Sequence, residues 1–103
     1  MASRFYCNTS VFTPEEGARH KEMTSKLVSS WKGFVETKDG YKFFFSSKKV
    51  SVAELIEWAS NERKCCPFFN FDIDSEREGS VLCLQLAGDG GIKPFIRSQF
   101  LAP

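Results

Sequence analysis

The sequence predicts an α+β fold: one four-stranded antiparallel sheet made of two β-hairpins, with an N-terminal, a central and a C-terminal helix mainly on one face. Segments with apolar residues at helical spacing alternate with paired segments in which apolar and polar residues alternate singly. The chain has 103 residues and is 42% apolar, which suffices for one core but not for two domains. We therefore expect a single domain over residues 1–103, with residues 1–12 extended.

The N-terminal helix is predicted from a capping signal. Thr13 suits the N-cap, Pro14 suits the first helical position, and Glu16 completes a capping box with Thr13. His20 is the only histidine of the chain, and it stands between the charged residues Arg19 and Lys21. This charged setting predicts that its side chain is exposed to solvent.

The first hairpin is predicted over residues 31–47. Asp39-Gly40 indicates its turn, as a type I′ turn, because both residues tolerate a positive φ. After the turn, Tyr41, Phe43 and Phe45 share one face of the strand, since side chains alternate along a strand. We expect this aromatic face to be buried beneath the helices.

The central helix begins with a second capping box, formed by Ser51 and Glu54, and ends before Pro67, which cannot continue a helix. Helical spacing assigns five residues to its buried side: Val52, Leu55, Ile56, Ala59 and Cys66. Cys65 is predicted to lie off this stripe, on the flank that carries Trp58 and Glu62.

The second hairpin and the last helix are also predicted from apolar spacing and from chain-breaking residues. Its first strand alternates apolar and polar residues from Phe69 to Asp74, and the strand VLCLQLAG places Leu82, Leu84 and Leu86 on one face. The glycines of GDGG interrupt the chain before a short helix with Ile92, Phe95 and Ile96 directed inward.

The opposite face of the sheet is predicted to be apolar as well. Alternation places Phe34, Phe44, Val81 and Cys83 there. An apolar face of this kind is typical of a protein interface, and homodimers usually form through such faces with two-fold symmetry. We expect a homodimer. A protein-interaction or dimerisation module with structural, buried cysteines is the alternative to a ligand-binding function.

Charge and hydropathy exclude two classes of partner. The net charge of +1 provides no basic surface for nucleic acid. No segment approaches the ~20 apolar residues that cross a membrane, and the start MASRFYCNTS lacks the apolar core of a signal peptide. These features predict a cytoplasmic protein, in which the four cysteines are free thiols or metal ligands.

The segment NERKCCPFFNFDID, residues 61–74, is the strongest candidate site. Cys65 and Cys66 supply two thiolates for a thiophilic metal ion, a metalloid or a thiol-reactive ligand. Cys7 is a third candidate sulfur ligand, and Glu62 lies one helical turn before Cys65, as a ligand or as a base. Adjacent cysteines on a helix diverge by about 100°, so chelation by both requires the helix to end there. The fold itself requires no ion.

Two other functions of the cysteines compete with metal binding. Thiol redox catalysis is disfavoured, because the C-terminal end of a helix dipole favours the neutral thiol. A purely structural role suits Cys66, since cysteine is often buried and Pro67 and Phe68 follow it. With one histidine and scattered carboxylates, a catalytic triad cannot be assembled, which favours a binding protein over an enzyme.

The chain resembles a family of small, uncharacterised, mainly bacterial proteins. The resemblance rests on the motif E-x-x-C-C-P-F-x-x-F, which spans Glu62 to Phe71 in this chain. It rests also on the strand VLCLQLAG and the segment GIKPFI. It extends over residues 7–101 and implies the same fold and a role for the motif, but no particular reaction. The chain departs from the family at AGDGG, where the family has Thr-Gly.

Overall fold

The computed structural model describes residues 8–101 and confirms the predicted α+β architecture. A 3₁₀ turn, Thr9–Val11, precedes helix α1. The helices are α1 (Pro14–Ser30), α2 (Val52–Cys65) and α3 (Ile92–Ile96), and a single π-helical turn, Arg97–Leu101, follows α3. The strands are β1 (Gly33–Glu36), β2 (Gly40–Ser46), β3 (Asn70–Glu76) and β4 (Val81–Ala87). Within the described residues, no helix is both long and apolar enough to span a membrane.

The four strands form one antiparallel sheet in the order β1-β2-β4-β3. The two hairpins therefore join through β2 and β4. In this register Phe43 lies opposite Leu84 and Phe45 opposite Leu82, and all four side chains are buried beneath the helices. The aromatic and leucine faces predicted from alternation are thus confirmed, and they form the centre of the core.

Both predicted capping boxes are confirmed. At α2, the Glu54 N–H donates to Ser51 Oγ at 3.1 Å, and the Ser51 N–H donates to Glu54 Oε1 at 2.9 Å. The same reciprocal pair joins Thr13 and Glu16 at α1. Each box satisfies two groups at the helix end that lack an intrahelical partner.

Replacing the cap of α2 is expected to lower stability measurably. Ser51→Ala removes the acceptor of the Glu54 N–H, and we expect it to reduce the free energy of unfolding by about 1 kcal/mol. Urea denaturation measures the loss. Ser60→Ala, at an exposed position inside the same helix, is the matched control and is expected to leave stability unchanged or slightly higher. An equal loss in both variants would contradict the assignment of the cap.

The buried side of α2 differs from the predicted one. Its buried residues are Leu55, Trp58, Ala59, Glu62 and Cys65. Val52 and Ile56, predicted to face the core, are 46% and 52% exposed. The helix is rotated because the Trp58 indole, the largest side chain of the helix, is fully buried and sets the centre of the contact face. This rotation carries Glu62 and Cys65 inward.

The predicted type I′ turn is wrong, although the hairpin is confirmed. Glu36 is paired with Tyr41, so four residues, 37–40, make the connection. Within residues 8–101, the residues with positive φ are Arg77, Glu78, Gly79 and Gly91. Gly40 is required for another reason: a Cβ at this position would lie 1.8 Å from the carbonyl oxygen of Leu86.

The opposite face of the sheet is less apolar than predicted. Phe34 pairs with Phe43 in the register and therefore lies on the helix side, where its ring contacts those of Trp31 and Phe43. Phe44 and Cys83 are neighbours on the other face, as predicted. An ion pair crosses that face, with Lys42 Nζ 3.7 Å from a Glu76 carboxylate oxygen.

Candidate metal centre

Three buried side chains meet where α1 packs against α2. Glu62 and Cys65 stand one turn apart on the inward face of α2, and His20 reaches them from α1. Their exposed fractions are 7%, 2% and 8% respectively. One donor atom from each, an imidazole nitrogen, a carboxylate oxygen and a thiol sulfur, lies within 4.8 Å of the other two. These are three ligand types that metal ions use in proteins.

The Glu62 carboxylate holds the cluster together. Its Oε1 lies 2.7 Å from His20 Nε2 and accepts a hydrogen bond from Cys65 Sγ at 3.7 Å. Around a tetrahedral Zn²⁺ with ordinary bond lengths, neighbouring oxygen, nitrogen and sulfur ligands lie about 3.3–3.6 Å apart. An ion would therefore need the imidazole and the carboxylate to separate by about 0.6 Å, whereas the oxygen and the sulfur already have about the required spacing.

Aromatic rings fix the imidazole in place. The His20 ring lies 5.2 Å from the Phe12 ring and is stacked at 6.1 Å on the indole of Trp58. Trp58 Nε1 donates to Thr24 Oγ1 at 2.9 Å, and Thr24 Oγ1 donates to the carbonyl of His20 at 2.8 Å. This chain of contacts joins α1 to α2 beside the cluster and limits the freedom of the imidazole.

One nitrogen of the His20 ring has no hydrogen-bond partner among the described residues. This atom, Nδ1, is buried. Buried polar atoms are nearly always paired, so an unpartnered ring nitrogen calls for an explanation. If the His20–Glu62 pair served only the fold, a hydrogen-bond partner at each ring nitrogen would make the folded protein more stable.

Cys65 is a neutral thiol in this structure. Burial raises its pKa to about 12, and the negative charge of Glu62 and the hydrogen bond to it act in the same direction. A thiol of this kind is a weak nucleophile, because the thiolate is the reactive form. A bound metal cation would favour the thiolate instead, since coordination to a metal deprotonates a thiol outright.

Cys66 lies at the point where α2 ends. Its φ and ψ of −127° and 71° are outside the helical region, and its N–H donates to the carbonyl of Glu62 at 2.6 Å. Its side chain is fully buried, with Sγ 3.7 Å from Cys65 Sγ. Cys65 and Cys83 are free thiols, whereas Cys66 is disulfide-bonded, which differs from the expectation of free thiols or ligands.

Of the four site residues predicted from the sequence, the structure brings three together: Glu62, Cys65 and Cys66. Cys7 lies outside the described residues. The next residue, Asn8, is anchored to the motif, because its N–H donates to the carbonyl of Cys65 at 2.8 Å.

His20 is the member of the cluster that the sequence analysis placed wrongly, since it is buried and not exposed. The signal was present: His20, Met23 and Leu27 follow the i, i+3, i+7 spacing of a buried stripe, and all three are buried on α1. The charged neighbours Arg19 and Lys21 obscured it, because they occupy other faces of the helix.

A surface cleft reaches the cluster. It has a volume of about 560 Å³, and its lining includes Phe12, Lys21, Thr24, Glu62 and Gln99. Glu62 belongs both to this lining and to the cluster, so the cleft reaches the cluster at its carboxylate-bearing residue.

Comparison of the chain with protein-family models, with curated proteins and with solved structures found no match. The resemblance to the E-x-x-C-C-P-F-x-x-F family therefore stays a prediction. What the site does has to be argued from its own chemistry.

Proposed function

We propose that the protein binds a divalent metal ion of the Zn²⁺ class through His20, Glu62 and Cys65. One observation carries the proposal: three buried donors of three ligand types lie within 4.8 Å of one another, beside a ring nitrogen that has no hydrogen-bond partner among residues 8–101. Burying ionisable side chains costs free energy, because they lose their hydration, and clusters of such buried groups are often found at functional sites.

The mixture of donors favours Zn²⁺ over other ions. Nitrogen, oxygen and sulfur ligands suit a borderline ion such as Zn²⁺. Ca²⁺ and Mg²⁺ prefer sets of oxygen ligands, and Cu⁺ prefers sulfur. Three protein ligands leave a fourth tetrahedral position for water or for a small ligand from the cleft. We infer a binding site, and we expect the fold not to depend on the ion, because Cys65 is the only one of the three ligands in the hydrophobic core of the described residues and the other core residues are apolar side chains or cysteines outside the ligand set.

A purely structural role accounts for less of the geometry. Packing alone would explain the burial of Cys65, but not a histidine and a glutamate buried beside it. A buried polar pair is often no more stable than apolar residues of similar volume, so stability alone gives little reason for it. Thiol catalysis is disfavoured by the raised pKa of Cys65.

The proposal is tested by titrating reduced protein with Zn²⁺ against a chromophoric chelator. We expect one ion per chain in the wild type and a loss of at least about 100-fold in affinity in Cys65→Ala, because a thiolate ligand is removed. Cys83→Ala is the matched control: it removes a buried free thiol from the sheet and is expected to bind like the wild type. Equal binding by the two variants would refute the site.

Zinc binding should release a proton from Cys65. The pKa of this thiol is raised to about 12, so the protein without metal carries the proton at neutral pH and the ion displaces it. Because a proton is released, affinity should rise with pH, by about tenfold per unit below pH 9 from this group alone. Calorimetry in buffers of different ionisation enthalpy measures the release, and Cys65→Ala should release one proton fewer.

We also propose, from the sequence, a homodimeric protein in the cytoplasm that binds neither nucleic acid nor membranes. Phe44, which is half-buried, provides an apolar part of the face of the sheet opposite the helices, which is where the second copy would pack. Sedimentation equilibrium on wild type and Phe44→Ser tests this: we expect a dimer and a weakened dimer. A monomeric wild type would contradict the proposal.

A further inference from the structure

We propose that Cys66 is a fourth ligand of the same site, which becomes available only when its disulfide is reduced. This inference rests on the proposed function and adds its regulation. In the oxidised protein, the site has one sulfur donor. In the reduced protein it has two, and the coordination sphere is closed.

The separation of the two sulfurs carries the argument. Cys66 Sγ lies 3.7 Å from Cys65 Sγ, and both side chains are buried. Two thiolates that bind one tetrahedral Zn²⁺ with bonds of about 2.3 Å lie about 3.8 Å apart. The sulfurs therefore already have the spacing of two ligands on one ion. Cys65 Sγ is also 3.7 Å from Glu62 Oε1, so the second sulfur extends the cluster of three donors.

The backbone explains how adjacent cysteines converge. Two consecutive residues inside a helix direct their side chains about 100° apart. Here the helix ends at Cys65, and Cys66 adopts non-helical φ and ψ angles ahead of Pro67. The bond from the Cys66 N–H to the carbonyl of Glu62 holds this conformation. The motif Cys-Cys-Pro thus places two sulfurs side by side at a helix terminus.

The chemistry of the switch is thiol–disulfide exchange. A dithiol reductant attacks the disulfide of Cys66, the S–S bond breaks, and two thiols form while the reductant becomes a disulfide. Two electrons and two protons pass from the reductant to the protein. Zn²⁺ then displaces the proton of the Cys66 thiol as it binds, because the thiolate is the form that coordinates metal.

X-ray absorption at the zinc edge counts the sulfur ligands and therefore tests the inference. Wild-type protein is loaded with one Zn²⁺ per chain, once after oxidation and once after reduction with a phosphine. We expect one sulfur at about 2.3 Å in the oxidised sample and at least two in the reduced one. The affinity for Zn²⁺ should be at least about tenfold higher after reduction.

Cys66→Ala and Cys83→Ala separate the inference from the proposed function. We expect reduced Cys66→Ala to bind Zn²⁺ with one sulfur fewer than the reduced wild type, and Cys83→Ala to match the wild type. A sulfur count that does not change on reduction, in protein that binds zinc, would overturn the inference alone. Absence of zinc binding in both redox states would overturn the proposed function with it. Because the redox comparison uses the wild type, poor folding of a variant leaves the test intact.

Discussion

Gly40→Ala is expected to destabilise the protein by at least about 3 kcal/mol, one of the largest effects of any single substitution. Gly40 opens β2 and lies opposite Ala87 of β4. An added Cβ would lie 1.8 Å from the Leu86 oxygen and 2.8 Å from Ala87 Cα, distances that no side-chain movement relieves. Since β2 and β4 join the two hairpins, the whole sheet would have to shift.

Gly33→Ala is the matched control for Gly40→Ala. Gly33 also begins a strand, but a Cβ there meets nothing within 4 Å. We expect this variant to be as stable as the wild type or up to about 1 kcal/mol more stable, because alanine loses less backbone entropy on folding. Urea denaturation of both variants provides the comparison. Similar unfolding midpoints for the two would contradict the close approach of β2 and β4.

The second large effect concerns the buried pair of His20 and Glu62, which are 2.7 Å apart. His20→Leu is expected to lower stability by about 3 kcal/mol, because it leaves the Glu62 carboxylate buried with the Cys65 thiol as its side-chain donor in the described chain. The double variant His20→Leu/Glu62→Leu is expected to recover most of this loss, since apolar residues of similar volume replace both partners. Neither variant should bind Zn²⁺ with the affinity of the wild type.

This pair of variants separates stability from function. Recovery of stability without recovery of zinc binding would show that the polar pair is kept for the ion and not for the fold. The opposite result, a double variant less stable than His20→Leu alone, would show that Glu62 stabilises the protein independently of His20. Urea denaturation and zinc titration on the same samples provide both measurements.

The order of the elements was predictable from the sequence because the signals for them are local. Thr13 and Ser51 each bond a residue three positions later, and side-chain alternation places Phe43 and Leu84 on a buried face whatever the partner strand is. The turn at Asp39-Gly40 was predicted, but the reason for its glycine was not predictable in this way. Its glycine is needed because of β4, which is more than 40 residues away in the sequence.

The candidate site was predictable only in part. The motif identified Glu62, Cys65 and Cys66, but sequence reasoning placed Cys65 outside the buried stripe, because the rotation of α2 depends on how Trp58 packs. His20 comes from a different helix, 42 residues before Glu62. A contact at this distance along the chain leaves no local trace beyond the spacing of His20 with Met23 and Leu27.

A crystal structure of reduced protein soaked with Zn²⁺, measured on both sides of the zinc absorption edge, tests the central claim most directly. We expect one anomalous peak per chain, between the His20 imidazole, the Glu62 carboxylate and Cys65 Sγ, at about 2.0–2.3 Å from each ligand atom. A peak elsewhere, or none in crystals soaked in excess Zn²⁺, would contradict the assignment of this cluster as a metal centre.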